Sequence, residues 1–180
     1  MSETVIETVI NPTLKEKEFE EVFKEQFRSV YNYIYYHIGN AEDAEDLTAD
    51  VFVRAYEYWG SFSSSKGSRG AWIGGIARNT VKTYYQKKAR RPQISELSEF
   101  IAADICVEGS YLQKEELLQV LAEMDALPEF QREILNMKYM LRLTNREIAK
   151  LTGMSESNIG VILFRSIKKI RNNLQMQVVY

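Results

Sequence analysis

Apolar side chains recur at intervals of three and four along nearly the whole chain, and no stretch alternates as a strand would. Phe19, Val22, Phe23, Phe27, Val30, Ile34 and Ile38 make one stripe, and Gly39-Asn40 closes it. Asn40 is placed to cap a second helix, with Glu42, Asp43, Glu45 and Asp46 in its first turns, where the helix dipole favours negative charge. That helix runs through Leu47, Val51, Phe52, Ala55 and Trp59 to Gly60. The polar run from Ser61 to Gly70 reads as a loop. A third helix is expected from about Ala71 to Arg90, with Trp72, Ile73, Ile76, Thr80, Val81 and Tyr84 inward and Pro92 ending it. Residues 92–110 carry little pattern and read as an acidic linker. A further helix from about Tyr111 to Ala126 turns Leu112, Leu117, Val120, Leu121 and Met124 inward. Pro128 then opens a helix faced by Phe130, Ile134, Leu135 and Met137 and ending near Met140. Two short helices and a longer tail complete the chain. The expected fold is all-α: a tail over 1–17, a small helical domain over 18–91, a flexible linker over 92–110, and a second small helical domain over 111–180.

Composition narrows the function classes. The chain has 180 residues, one His and one Cys. His37 alone makes a His-based metal site or triad unlikely, and Cys106 alone excludes an internal disulfide and a Cys-built zinc site. No cofactor or metal is expected. The start of the chain lacks a basic run followed by an apolar one, and no apolar run is long enough to span a membrane. A protein of a reducing cytoplasm is expected.

The net charge of −2 argues against a polyanion partner, but its distribution argues for one. Residues 61–95 carry eight basic and no acidic side chains, and residues 127–180 carry nine basic and four acidic. Residues 1–60 and 96–126 are acidic. Because screening confines a patch to about 8–10 Å, each basic block acts locally.

The sharpest motif runs from Leu143 to Ile162. Thr144 and Glu147 fit a capping box, Ile148 points inward, Ala149 allows close packing, and Gly153 permits a tight turn. Ser155 caps the next helix, which Ile159 anchors with Ile162 or Leu163. Small residue, glycine turn, cap and buried Ile at these spacings make a helix-turn-helix. Its outward residues are Glu156, Ser157, Asn158, Gly160 and Val161, followed by Arg165, Lys168, Lys169 and Arg171. Ser and Asn can read base edges, Val can touch a thymine methyl, and the basic tail can hold phosphates. The third helix interleaves Trp72, Arg78, Asn79, Lys82, Tyr84, Tyr85, Lys87, Lys88, Arg90 and Arg91, a mixture that suits single-stranded nucleic acid. Gly74-Gly75 inside it costs helix stability and points to close packing or close approach of a ligand.

Together these segments resemble a bacterial sigma factor of the extracytoplasmic-function group. Ala44–Ala55 is similar to that family's core-polymerase-binding helix, Trp72–Asn79 with the basic run to Arg91 to its promoter-melting segment, and Leu127–Glu133 with the helix-turn-helix to its −35-binding domain. The resemblance implies a transcription initiation factor, not an enzyme, whose partners are core RNA polymerase (clamp and flap elements), promoter DNA and an anti-sigma factor. It implies polymerase contacts through Asp43, Asp46, Leu47, Asp50, Val51 and Arg54. It implies capture of the −10 strand by Phe62, Lys66, Ser68, Arg69, Trp72, Arg78, Asn79, Lys82, Tyr85, Lys87 and Lys88. It implies −35 contacts from Arg146, Ser155, Glu156, Ser157, Asn158, Val161, Arg165, Lys168 and Lys169. Gly160 and Ile162 stand where relatives usually carry Lys or Arg, so the promoter sequence does not follow.

Two other readings compete. A helix-turn-helix regulator would bind duplex DNA without polymerase. An enzyme would use Glu42, Asp43, Glu45 and Asp46 as an acid/base or metal cluster, although a solvated helix start explains them better. His37 reads as a helix-end residue and Cys106 as a spectator.

Overall fold

The computed structural model describes residues 14–87 and 111–177. Helices α1 (Leu14–Ile38) and α2 (Ala41–Glu57), a 3-10 turn (Trp59–Ser61) and α3 (Arg69–Lys87) form the N-terminal half. Helices α4 (Tyr111–Asp125), α5 (Glu129–Tyr139), α6 (Asn145–Thr152) and α7 (Glu156–Gln177) form the C-terminal half. The expected linker, Cys106, Lys88, Arg90 and Arg91 lie outside the described residues. Helix α1 begins inside the segment expected to be a tail.

Local chemistry sets the helix ends. Gly39 takes φ 74°, and the Asn40 side chain accepts a hydrogen bond from the Asp43 amide at 2.9 Å, starting α2. Ser68 does the same for α3, its hydroxyl accepting from the Ala71 amide at 3.1 Å. The helix after the turn at Gly153 is one continuous element of 22 residues, so the expected short helix and tail are a single rod.

The N-terminal core holds Val22, Val30, Ile34, Ile38, Val51, Phe52, Ala55 and Ile73. Phe23 and Phe27, expected within the stripe, are 39% and 40% exposed. They sit on the i, i+4 row at the flank of α1, where Phe23 packs edge-on against Phe52 at 4.8 Å and Phe27 stacks at 5.9 Å, with their outer faces left in solvent. The inner row of α1 instead buries Tyr33, Tyr35 and Tyr36. Phe130, expected on the inner face of α5, is exposed, and that helix buries Ile134, Leu135, Asn136 and Met137.

The two halves touch. Tyr33 donates a hydrogen bond to Glu133 at 2.8 Å, and Tyr36 to Asp125 at 2.6 Å. Arg142, at φ 56°, reverses the chain between two buried leucines, Leu141 and Leu143, and brings both against Gly74.

Candidate nucleic-acid and polymerase interface

On α2, Asp46, Asp50 and Arg54 are spaced by four and all exposed, so they form one ridge on the side away from the core. Leu47 is half-buried beside it. Asp43 accepts a hydrogen bond from the Tyr84 hydroxyl at 2.7 Å, which turns it toward α3. Val51 is 0% exposed, packed inward on the opposite face of the turn, and so cannot touch a partner.

The loop 61–70 wraps an aromatic cluster. Phe62 stacks on Trp59 at 5.4 Å, Trp72 lies 5.7 Å from Phe62, and Arg69 sits over the Trp59 ring at 5.7 Å. Two recesses border the loop. One, of about 840 Å³, runs along its outer side between Lys15, Glu18, Trp59 and Arg69. The other, of about 290 Å³, is lined by Phe62, Lys66, Ser68 and Trp72, and is walled on its far side by Glu147, Lys150 and Leu151 of α6. Ser68 donates to Glu147 at 2.5 Å, and Lys150 donates to the Lys66 carbonyl at 3.2 Å. Asn79, Lys82 and Lys87 are exposed on α3. Tyr85 is half-buried, its hydroxyl donating to the His37 carbonyl, which leaves it facing α1 and not open solvent.

Arg78, its side chain 37% exposed, reaches across to the other half. Its Nε lies 3.4 Å from Glu133, and its Nη1 donates to the Leu151 carbonyl at 3.4 Å. Glu133 gathers Tyr33, His37 (Nε2 to Oε2, 3.1 Å) and Arg78 around one carboxylate. Burial pushes that carboxyl up, but His37, Tyr33 and Arg78 outweigh burial and hold it below the usual glutamate range. Burial, followed by the Glu133 charge, pushes the Tyr33 hydroxyl well up, so it stays a donor. No local signal announces this cluster, because its members are up to a hundred positions apart. The glycine pair was the visible hint.

The helix-turn-helix forms as expected. Thr144 Oγ1 accepts from the Glu147 amide at 3.3 Å, and Glu147 Oε2 accepts from the Thr144 amide at 2.8 Å. Gly153 takes φ 74°, and Ser155 Oγ accepts from the Asn158 amide at 3.2 Å. Ile148 and Ile159 are fully buried. Ser157, Val161, Arg165 and Lys168 fall along one exposed ridge of α7, with Glu156, Asn158 and Lys169 beside it and Arg146 exposed on α6. Phe164, absent from the expected contacts, is 67% exposed on the same helix. A further feature was not foreseen: an apolar groove of about 860 Å³ between α4, α5 and α7, bordered by Leu117, Met124, Tyr139 and Leu174. Among the described residues no group of three His, Cys, Asp or Glu could hold a metal, and no helix is long and apolar enough to cross a membrane.

A charged ridge on α2, a basic aromatic loop and a helix-turn-helix follow one another along a helical chain. The family model for sigma-70 region 2 matches residues 22–91, and that for sigma-70 region 4 matches residues 117–170, which together exceed half of the chain. The chain belongs to the sigma-70 family, in its extracytoplasmic-function (ECF) group. It is 27% identical over 137 residues to the ECF RNA polymerase sigma factor BldN of Streptomyces coelicolor, covering 75% of this chain and 52% of that protein. It is 29% identical over 128 residues to the ECF sigma factor SigM of Bacillus subtilis, covering 71% of this chain and 77% of that one. The chain thus spans about half the length of the first relative and most of the second. Among solved structures, the sigma factor RpoE from Bartonella quintana, in complex with the anti-sigma factor NepR, is similar in fold at TM-score 0.65 and 18% identity, over 88% of this chain and 98% of that one. CnrH, in complex with the cytosolic domain of CnrY, is similar at TM-score 0.59 and 16% identity, over 89% of each chain.

Proposed function

We infer that this chain is an alternative sigma factor: it binds core RNA polymerase and directs it to particular promoters. The observation that carries the reading is the order of three surfaces within the matched family regions. The exposed ridge Asp46, Asp50 and Arg54 suits a basic protein partner, with charge opposing its approach to DNA. Phe62, Lys66, Ser68, Arg69, Trp72, Arg78, Asn79, Lys82 and Lys87 supply cations and stacking faces for the unpaired −10 strand; a captured base returns part of the stacking energy that melting costs, about 1.4 kcal/mol per step. The α7 ridge with Arg146, Ser155, Glu156 and Asn158 enters the −35 major groove, and Lys168 and Lys169 hold phosphates.

The chemistry of RNA synthesis belongs to the polymerase, and this chain acts by binding in the cytoplasm. An anti-sigma factor is proposed as a further partner, as the similar structure of the sigma factor RpoE holds it in complex with the anti-sigma factor NepR. The deciding test is transcription from a genomic promoter library by core polymerase with and without this chain. Promoter-specific transcripts that need both are expected. A chain that binds duplex promoter DNA equally well without polymerase is a stand-alone regulator, and the reading is then wrong.

A further inference from the structure

We propose that Asn145, the first residue of α6, is a specificity-determining residue of the helix-turn-helix: its carboxamide swings over the bare backbone of Gly160 and pairs with an adenine in the major groove. The proposal rests on the sigma-factor reading for naming that duplex a −35 element, and on the helix-turn-helix alone for the contact. Two independent observations meet at this spot. The first is a glycine that the rest of the chain does not require. Gly74 and Gly75 on α3 have close neighbours, since a Cβ on Gly74 would stand 3.2 Å from Leu141 and one on Gly75 would stand 3.2 Å from Leu151. Gly160 lies inside α7, where glycine is less stable than alanine. Among the described residues, a Cβ there would meet Asn145 Nδ2 at 3.8 Å, an ordinary contact, and nothing nearer. Alanine would fit, so the room is kept for something that arrives from outside, as where a backbone must be approached closely. Gly160 stands between exposed Glu156 and Phe164 on one i, i+4 row, beside Ser157 and Val161 of the exposed ridge. The second observation is polar. Asn145 Oδ1 is buried, and no donor among the described residues reaches it. The capping box next to it, between Thr144 and Glu147, is complete without Asn145.

The chemistry of the carboxamide selects the base. An unpaired buried acceptor forfeits the hydrogen bond it would have in water, so the tucked position of Asn145 is costly in the free chain. The last torsion of an Asn side chain is soft, and the direction its amide already faces is Gly160. Turned out over that glycine, the side chain offers an acceptor and a donor side by side. A phosphate carries acceptors alone and would leave Oδ1 unpaired. In the major groove guanine shows two acceptors, cytosine a donor, and thymine an acceptor with a methyl group. Adenine shows the N7 acceptor beside the N6 amino donor, and it alone satisfies both atoms of the carboxamide. A side chain at 160 would stand in the path of that swing. The bare glycine and the unpaired oxygen are therefore two parts of one device.

The test uses the full chain, with and without core polymerase, to select duplexes from a random-sequence pool. On the selected duplex each adenine is replaced in turn by 7-deazaadenine, which lacks the N7 acceptor. Affinity is measured for the parent, Asn145→Ala and Gly160→Ala, with helical content and thermal midpoint followed in parallel. The parent should lose roughly fivefold or more at one adenine. Asn145→Ala should lose as much on the unmodified duplex and be indifferent to the replacement at that adenine, a coupling that a general loss of fold does not produce. That dependence matters because Asn158, exposed on α7, is also an amide. Gly160→Ala should bind more weakly although its thermal midpoint rises, since alanine is the better helix former. A glycine that serves only the fold would not move the two readouts in opposite directions. If no adenine loses its effect with Asn145→Ala, or if Gly160→Ala binds as tightly as the parent, the proposal is overturned. A duplex selected equally well without core polymerase sinks the sigma reading and leaves a measured Asn145 coupling standing. Selection that needs core polymerase but shows no such coupling does the reverse. A chain that selects no duplex in either condition overturns both.

Discussion

The two surfaces proposed to face DNA differ in their surroundings. On α7, Ser157, Val161, Arg165 and Lys168 stand along an exposed ridge. Around loop 61–70, Ser68 and Arg78 are bonded to the other half, and Phe62 and Trp72 pack against Trp59. On the proposed function, the contrast follows from what each surface would bind. Duplex base edges are reached by a rigid rod entering a groove, which can be presented in advance. Unpaired bases need an aromatic and cationic recess, and such a recess left open would take any single strand.

The largest test of this contrast is Ile159→Ala, which empties a fully buried anchor of α7. A cost of about 2–5 kcal/mol is expected, from lost transfer energy and the cavity left behind. Denaturation followed separately by tryptophan fluorescence, which reports Trp59 and Trp72 of the N-terminal half, and by hydrogen exchange in α6 and α7 should show the C-terminal half melting first. A single transition in which both halves lose stability equally would mean that the contrast between surfaces rides on one cooperative unit.

Acid comes next in size. Burial alone would raise Glu133 and Glu147, but His37, Tyr33 and Arg78 on the first, and Ser68 and Thr144 on the second, hold both below the ordinary glutamate range. A carboxyl lowered in the folded state contributes stability that is complete above its unfolded value, about 4.3, and is lost as pH falls through the lowered folded value. Asp125 opposes the trend, because burial pushes it up despite Tyr36 and Arg132. Protection of the 61–70 amides, corrected for intrinsic exchange, should hold from neutral pH to about 5 and decline below about 4.3. Protection that rises in that acid range would show that the two glutamates do not carry the contact.

Much of this molecule was legible from periodicity and capping, which act over three or four residues. The capping box at Thr144, the turn at Gly153, the Asn40 cap and the inward Ile148 and Ile159 all belong to that range. What was not legible depends on partners far along the chain. His37 reads as a helix-end residue until Glu133 is placed beside it; Tyr33 and Tyr36 fall outside the apolar stripe, and their burial comes with the C-terminal half. Phe23 and Phe27 match a core stripe, but they meet Phe52 with one side and leave the other in solvent. Gly74-Gly75 was the exception: a pair of residues unfavourable where they stand locally is evidence of something non-local, here Leu141, Leu143 and Leu151.

The smallest expected effect separates the two roles of Glu147. Its carboxylate accepts from the Thr144 amide and hydroxyl, each at 2.8 Å, and from Ser68 at 2.5 Å. Thr144→Ala removes the hydroxyl that receives the Glu147 amide, at a cost to α6 of about 1 kcal/mol, while the Glu147 side chain keeps the Thr144 amide and Ser68. The denaturation midpoint of the C-terminal half should fall slightly, with protection of residues 61–70 unchanged. Faster exchange in that loop would mean that a frayed α6 cannot hold Glu147 in place. The cap would then stabilise the contact at loop 61–70 as well as the helix-turn-helix, and the exposed surface and the covered one would share a single hydroxyl.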